Sequence, residues 1–284
     1  NKYRKMKTFI RATFVILVAI ILNSCDKVEG PVKEVLPPPA GDRNVLVEDY
    51  TGHRCGNCPR AAKSVYDLKA TYGDNLIIMG IHAGGFANVF PPSAPYYTYD
   101  FRTPEGTELD TDFGISVAGN PNGMVNRRQV NGSYILPPTK WLDEISAVLT
   151  NPDPLPLSIS INNVYNSATR SLQTEVKTEF FANLSGVYKM CVFMVEDSVI
   201  NWQKDYDASP EDIEFYVHQE VLRGSMNGTY GVQIGTTSLG DISTLNYSKT
   251  LDAAWSDEHF SIIAYLYNDL TKEIIQVEQK EIIE

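Results

Sequence analysis

Two cysteines separated by two residues, Cys55 and Cys58 in "EDYTGHRCGNCPRA", are the side chains here whose type and spacing fit them best for chemistry. Where a helix starts across such a pair, both sulfurs come within disulfide reach, and the first points at backbone amides that have no partner inside the helix. Those amides and the positive end of the helix dipole stabilise a thiolate, which moves a thiol pKa from about 8.5 into the range of roughly 3.5 to 7.5. On that chemistry Cys55 is the nucleophile and Cys58 the resolving thiol, with Arg54 and His53 adding positive charge on the approach side. The pair is also compatible with a permanent staple, and both readings stay open on spacing alone. Pro59 stands where a c-type haem attachment needs histidine. A zinc site would need two more ligands from Cys191 and four scattered histidines, none at ligand spacing. No cofactor and no metal are therefore expected.

The elements that must position the pair are a strand, a helix and a second strand. "NVLVEDY" (44–50) and "NLIIMGIH" (75–82) are apolar runs, and between them a helix from about residue 57 to 72 carries Ala61, Ala62, Val65, Tyr66 and Leu68 as a stripe. Strand, helix and strand of this length form a βαβ unit with parallel strands. His82 ends the second strand, at the sheet edge where Cys55 emerges, and is either a nearby proton acceptor or a hydrogen-bonded structural residue. Residues 84–106, rich in Gly, Pro and aromatics, carry no period. They read as a long insertion that either lines a groove for a protein partner or packs on its own domain. A short helix near 108–113, a strand at about 123–130, a turn at Asn131–Gly132 and a helix at 139–149 complete this part. "NPDPLP" (151–156) is a break.

From Leu157 the period becomes two. "LSISI" and "LQTEVKTEF" alternate, and apolar segments follow at 187–195, 214–222, 229–234 and 260–267, the last turning at Asn268–Asp269 into "KEIIQVEQKEII". Short alternating strands with polar turns predict an all-β sandwich. Cys191, inside an apolar strand, is expected to be a buried and inert thiol.

"VLVEDYTGHRCGNCP" resembles the active-site strand and helix of the thioredoxin superfamily. Asp49 lies six residues before Cys55, where that family keeps a buried acid, and Asn120–Pro121 in "GISVAGNPNGMVNRR" resembles the loop that holds a cis-proline beside the dithiol. The resemblance implies that Asp49 relays protons to Cys58 and that Pro121 shapes a peptide groove.

The N-terminus bears on where such a dithiol would sit. Lys2, Arg4, Lys5, Lys7 and Arg11 precede an apolar run from Ala12 to Leu22, followed by Leu22-Asn23-Ser24-Cys25. Eleven helical residues span roughly 16 Å, about half of a bilayer core, so the run is a secretory signal rather than a span. Its end is similar to the lipobox of bacterial lipoproteins, which implies lipid attachment at Cys25 and a membrane anchor through it. Removing residues 1–24 takes away five cationic side chains and no acidic ones, moving the formal charge from −11 to −16. That acidity excludes nucleic acid as a natural partner.

Over nearly its whole length, with "VHQEVLRGSMNGTYG" (217–231) added to the motifs above, the chain resembles the outer membrane protein 28 family of gram-negative lipoproteins. The expected organisation is a signal (1–25), a Pro-rich tether (26–43), an α/β thioredoxin-like domain (44–150) with its insertion, and an all-β immunoglobulin-like sandwich domain (157–284). Two functions fit an outer membrane lipoprotein facing the periplasm or the cell surface. One is a thiol-disulfide oxidoreductase or thiol-dependent folding factor acting on protein thiols and disulfides. The other is a binding or assembly protein with a surface protein partner, in which the Cys55–Cys58 bridge is structural.

Overall fold

Strands buried on both faces read as continuous apolar runs, and three such runs form the middle of the molecule. They are β1 (Val45–Thr51), β2 (Leu76–His82) and β12 (Phe260–Asn268), with β6 (Tyr188–Glu196) buried at all but one position. The computed structural model describes residues 43–283. The expected signal, the lipid-bearing Cys25 and the tether up to residue 42 lie outside them.

The four strands belong to one eight-stranded sheet with β13 (Ile274–Glu281), β9 (Val221–Ser225), β3 (Asn122–Val125) and β10 (Val232–Gln233). Its order is β13-β12-β6-β9-β2-β1-β3, and β10 pairs with β6. β1 runs parallel to β2 from Val45↔Leu76 to Thr51↔His82 and antiparallel to β3. The expected strand at 123–130 is thus shorter, because Asn126 and Arg127 turn out of it with φ of 45° and 49°. The strands expected in separate domains share this one sheet. They meet where Gly80 pairs with Val221, and a Cβ on Gly80 would lie 3.1 Å from the Gln219 carbonyl oxygen, so a side chain there would push the second strand away by a few tenths of an ångström.

Alternation along these strands divides the core. Leu46, Tyr50, Met79, Phe193, Ile263 and Tyr265 face one side, covered by α2 (Pro104–Phe113) and α3 (Ile115–Ala118). The opposite face is covered in two places. α1 (Cys58–Tyr72) and α4 (Trp141–Leu149) pack on Val45, Val47, Leu76 and Ile78. A three-stranded sheet of β4 (Leu157–Asn166), β5 (Ser171–Phe180) and β11 (Ile242–Thr250) sets Leu157, Ile159, Leu172 and Val176 against Met190, Val192, Ile262 and Ala264. The architecture is mixed α/β with several sheets and a β-rich C-terminal part.

Two polar links tie the first strand to the last ones. Arg127 donates to both oxygens of Glu48, at 2.8 and 2.7 Å, and to the Tyr265 hydroxyl at 2.7 Å, all buried. The Asn44 side chain donates to the Val277 carbonyl at 3.0 Å, and its backbone N–H donates to Gln276 Oε1 at 3.2 Å. β7 (Val199–Lys204) and β8 (Asp212–His218) form a separate antiparallel hairpin.

Candidate functional site

The loop between β1 and α1 carries the cysteine pair. The Cys55 amide donates to the Gly52 carbonyl at 2.9 Å and the Cys58 amide to the Cys55 carbonyl at 3.2 Å, a tight turn that delivers the chain into the helix. Pro59 follows in the first helical turn, where no intrahelical N–H is needed. Cys55 and Cys58 are joined by a disulfide, with Cα atoms 5.4 Å apart. By the sequence reading Cys55 is the attacking thiol, which must be reached by a partner, whereas both cysteines are buried to the same extent, at 2% exposure.

The cover is the β7–β8 hairpin. Its strand β7 lies along the cysteine loop: the Lys204 amide donates to the His53 carbonyl (2.7 Å), the Gln203 side chain to the Cys55 carbonyl (3.0 Å), and the Tyr206 amide to the Gly56 carbonyl (2.9 Å). A Cβ on Gly56 would fall 2.5 Å from the Tyr206 ring, so glycine at this position is what allows the ring to lie against the loop. Arg60 clamps the hairpin tip with paired hydrogen bonds of 2.9 and 2.7 Å to Asp207. The aromatic insertion supports the hairpin from the side. Tyr97 donates its hydroxyl proton to Asp212 and, with Tyr96, packs on Trp202, and Phe101 stacks on His82 and touches the His218 ring. Tyr97 and Phe101 of the insertion are therefore buried packing, while Phe86 is exposed.

Arg54 is directed into that insertion. Its guanidinium lies 4.4 Å from the centroid of Phe90 and donates to the Asn88 carbonyl at 3.2 Å. His53 is buried against Tyr97, and burial lowers its pKa, so it supplies no fixed positive charge to the cysteines. Pro121 follows a cis bond from Asn120, and the Asn120 amide is buried without a protein partner. Cys191 is buried, its thiol pushed up to about 12 by burial, as an inert core residue requires.

Beneath the hairpin lies a cavity of about 490 Å³ between α1, the C-terminal ends of β1 and β2, and β8. Asp49 and His82 line it, together with Cys58, Tyr66, Tyr216 and His218. Adjacent acids on one strand take opposite faces, so Glu48 reaches Arg127 while Asp49 faces α1. Asp49 Oδ1, both His82 ring nitrogens and the Tyr66 hydroxyl are solvent-excluded and have no protein hydrogen-bond partner. Burial alone raises Asp49 to about 7. Burial drives His82 well below its ordinary value, with smaller contributions from His218, His53 and Arg223, and takes His218 down to about 3. The floor is thus two neutral imidazoles beside an acid that titrates near neutrality. Tyr66, Tyr216 and His218 are members that pattern reading misses. Only the position of Tyr66 on the buried side of α1 was a usable signal.

Residues 109–284 match the family described as Outer membrane protein Omp28. The chain is similar to the solved structure of HBP35 of Porphyromonas gingivalis, with 15% identity over 85% of this chain and 76% of that one, at a TM-score of 0.63, a likeness of fold. A domain of the outer membrane lipoprotein Omp28 from Porphyromonas gingivalis also matches, with 18% identity over 46% of this chain and 92% of that one, at a TM-score of 0.32. No curated protein matches the chain.

Proposed function

Because the chain belongs to the Omp28 family of outer membrane proteins, we propose that it is a binding or assembly lipoprotein in which Cys55–Cys58 is a structural bridge and no dithiol turns over. The observation that carries this reading is the hairpin laid over the pair. An exchanging sulfur must be reached in line by an attacking thiolate, and here the hairpin, with three hydrogen bonds from Gln203, Lys204 and Tyr206 and the Tyr206 ring, lies over the loop that carries the pair. The bridge instead pins the loop on which the hairpin rests. Arg54 and His53, engaged elsewhere, leave the pair without the local cations that activate a thiol.

The outward face of the hairpin supports the binding half of the reading. Ile200, Phe215 and Val217 are exposed, with Phe215 at 75%, while their strand neighbours Gln203 and His218 point inward. Apolar groups displayed on a strand pair anchored over a staple form a surface suited to a protein partner.

The parallel β1–β2 pair, α1 starting at Cys58 and β3 antiparallel to β1 support a thioredoxin-like ancestry for residues 44–150. The facing sheets after residue 157 support the immunoglobulin-like reading of the remainder. On this view the catalytic scaffold persists with its entrance built over.

A redox titration tests the proposal. A potential below about −300 mV, together with no turnover of a disulfide substrate, is expected of a structural bridge. A higher potential with partners trapped on Cys55 in a Cys58→Ser variant would overturn it.

A further inference from the structure

The three-stranded sheet has an open edge. β11 (Ile242–Thr250) is its outer strand, paired with β5 on one side and with no strand on the other. Its register runs without a shift from Ile242↔Glu179 to Thr250↔Ser171. The Phe180 amide donates to the Asp241 carbonyl at 3.0 Å and the Leu251 amide to the Arg170 carbonyl at 2.9 Å, which fixes the parity of the ladder. Odd-numbered residues of β11 turn their backbone groups to β5, while Ile242, Thr244, Asn246, Ser248 and Thr250 turn theirs away. Among the described residues no hydrogen bond meets those outward amides and carbonyls, and the five side chains are exposed. Natural edges are blunted by proline, bulges or charge. β11 has no proline, no bulge and no acid, and Lys249 is its one charged residue. We propose that β11 is a self-association edge, on which a second copy of this chain lays its own β11 antiparallel to make one continuous sheet.

The charges at the two ends of the strand choose the occupant. Among the described residues Lys249 has no acid at ion-pair distance. Asp241, one residue before the strand, accepts from the Ser238 amide at 2.8 Å and has no cation at ion-pair distance. Both positions are odd-numbered and share one side of the strand. Antiparallel pairing of β11 with itself sets Lys249 opposite the second copy's Asp241, with facing Cβ atoms about 5 Å apart. The two-fold axis makes the same contact twice.

The rest of the strand fits that register. Leu245 meets Leu245 at the axis, and Tyr247 meets Ser243. Ile242 exchanges backbone hydrogen bonds with Ser248, and Thr244 with Asn246. Leu245 and Tyr247 are half-buried against the core that also holds Trp255, so the seam extends an apolar layer that one copy leaves partly exposed. A slip of one residue would set outward amides against inward-turned ones, and a slip of two would set Lys249 against Ser243 or Leu239. An unrelated extended segment would gain the same backbone bonds but gives no role to the two unpaired charges. The seam has nine residues and is about 30 Å long, small for an interface, so the dimer is reversible.

This contact goes beyond the reading proposed above and does not involve the Cys55–Cys58 bridge, so its failure leaves that reading in place. Sedimentation equilibrium of the full-length lipoprotein in density-matched detergent tests it. The parent should show a monomer–dimer equilibrium at or below roughly 100 μM. Lys249→Glu and Asp241→Lys each set like charges opposite one another and should weaken self-association by roughly tenfold. Mixed one to one, the two variants should pair with each other as tightly as the parent does with itself, because both contacts are attractive again. Asn246→Pro removes an outward N–H that β5 does not use, so the circular dichroism spectrum should be kept and the dimer lost. In whole cells, photo-reactive benzoylphenylalanine in place of Thr244 should give an adduct of twice the chain's mass. A parent that stays monomeric, a dimer indifferent to these substitutions, a mixture of charge variants that associates no better than either alone, or adducts from position 244 with other proteins only would each overturn the assignment.

Discussion

Replacing Asp49 by Asn deletes a carboxyl that burial raises from 3.8 to about 7, and keeps its shape. The folded protein therefore holds that proton about three decades more tightly than the unfolded chain. At ~1.4 kcal/mol per decade, the charged form costs the fold up to about 4 kcal/mol. Between about pH 4 and 7 the folded chain keeps a proton that the unfolded chain has released, so stability falls as pH rises through that window and the loss is complete above it. Asn carries no such pH-dependent term. The variant should thus match the parent at pH 4 and exceed it by up to about 4 kcal/mol at pH 8. Glu220, also pushed up to about 7 by burial first and then by nearby Asp197, contributes a slope of the same sign to both proteins and cancels in the difference. Urea unfolding followed by the fluorescence of the three tryptophans, with Trp141 in the core, gives the two stability curves. Parallel curves from pH 4 to 8 would refute the view that burial holds the Asp49 carboxyl in its neutral form.

Three further outcomes follow from the packing. Arg127→Met leaves the Glu48 carboxylate buried and alone, and should cost roughly 3–5 kcal/mol of unfolding free energy, with the Glu48→Gln, Arg127→Met double variant recovering part of it in the same urea assay. Gly56→Ala drives a Cβ into the Tyr206 ring and should loosen the hairpin. A loss of ~1.4 kcal/mol in its closure would speed reduction of the bridge by dithiothreitol about tenfold. Cys55→Ser with Cys58→Ser opens a four-residue loop and should lower stability by only about 2 kcal/mol, with the circular dichroism spectrum unchanged.

How far the sequence reveals the fold depends on how local each cause is. The run from Val45 to Tyr72 is dictated nearby: apolar strand, loop, Pro59 in the first turn, apolar stripe. It appears where expected, as do α4 and the alternating β4 and β5. The apolar segment at 214–222 reads as one strand but is two, because Glu220, at φ 49°, breaks it and sends β8 to the hairpin and β9 to the large sheet. The hairpin itself escapes pattern reading because its polarity is reversed. Ile200, Phe215 and Val217 face outward while Gln203 and His218 are buried under them, so the usual rule assigns the wrong side. Both cysteines and Asp49 are legible from their spacing. Their burial is not, since it is imposed by residues about 150 positions later in the chain.

The hydrogen bonds from Asn44 to Gln276 and Val277 carry a consequence for biosynthesis. The entry to β1 is fixed by the last strand of the large sheet. Asn44, just ahead of β1, lacks these partners until nearly all of the chain has been made, and a fragment stopped near residue 150 would present β2 with an open edge where β9 belongs. The large sheet is therefore completed late, although the core under α1 and α4 is drawn from residues 45–149 alone. That delay suits a polypeptide that must cross a membrane as an extended thread before it settles.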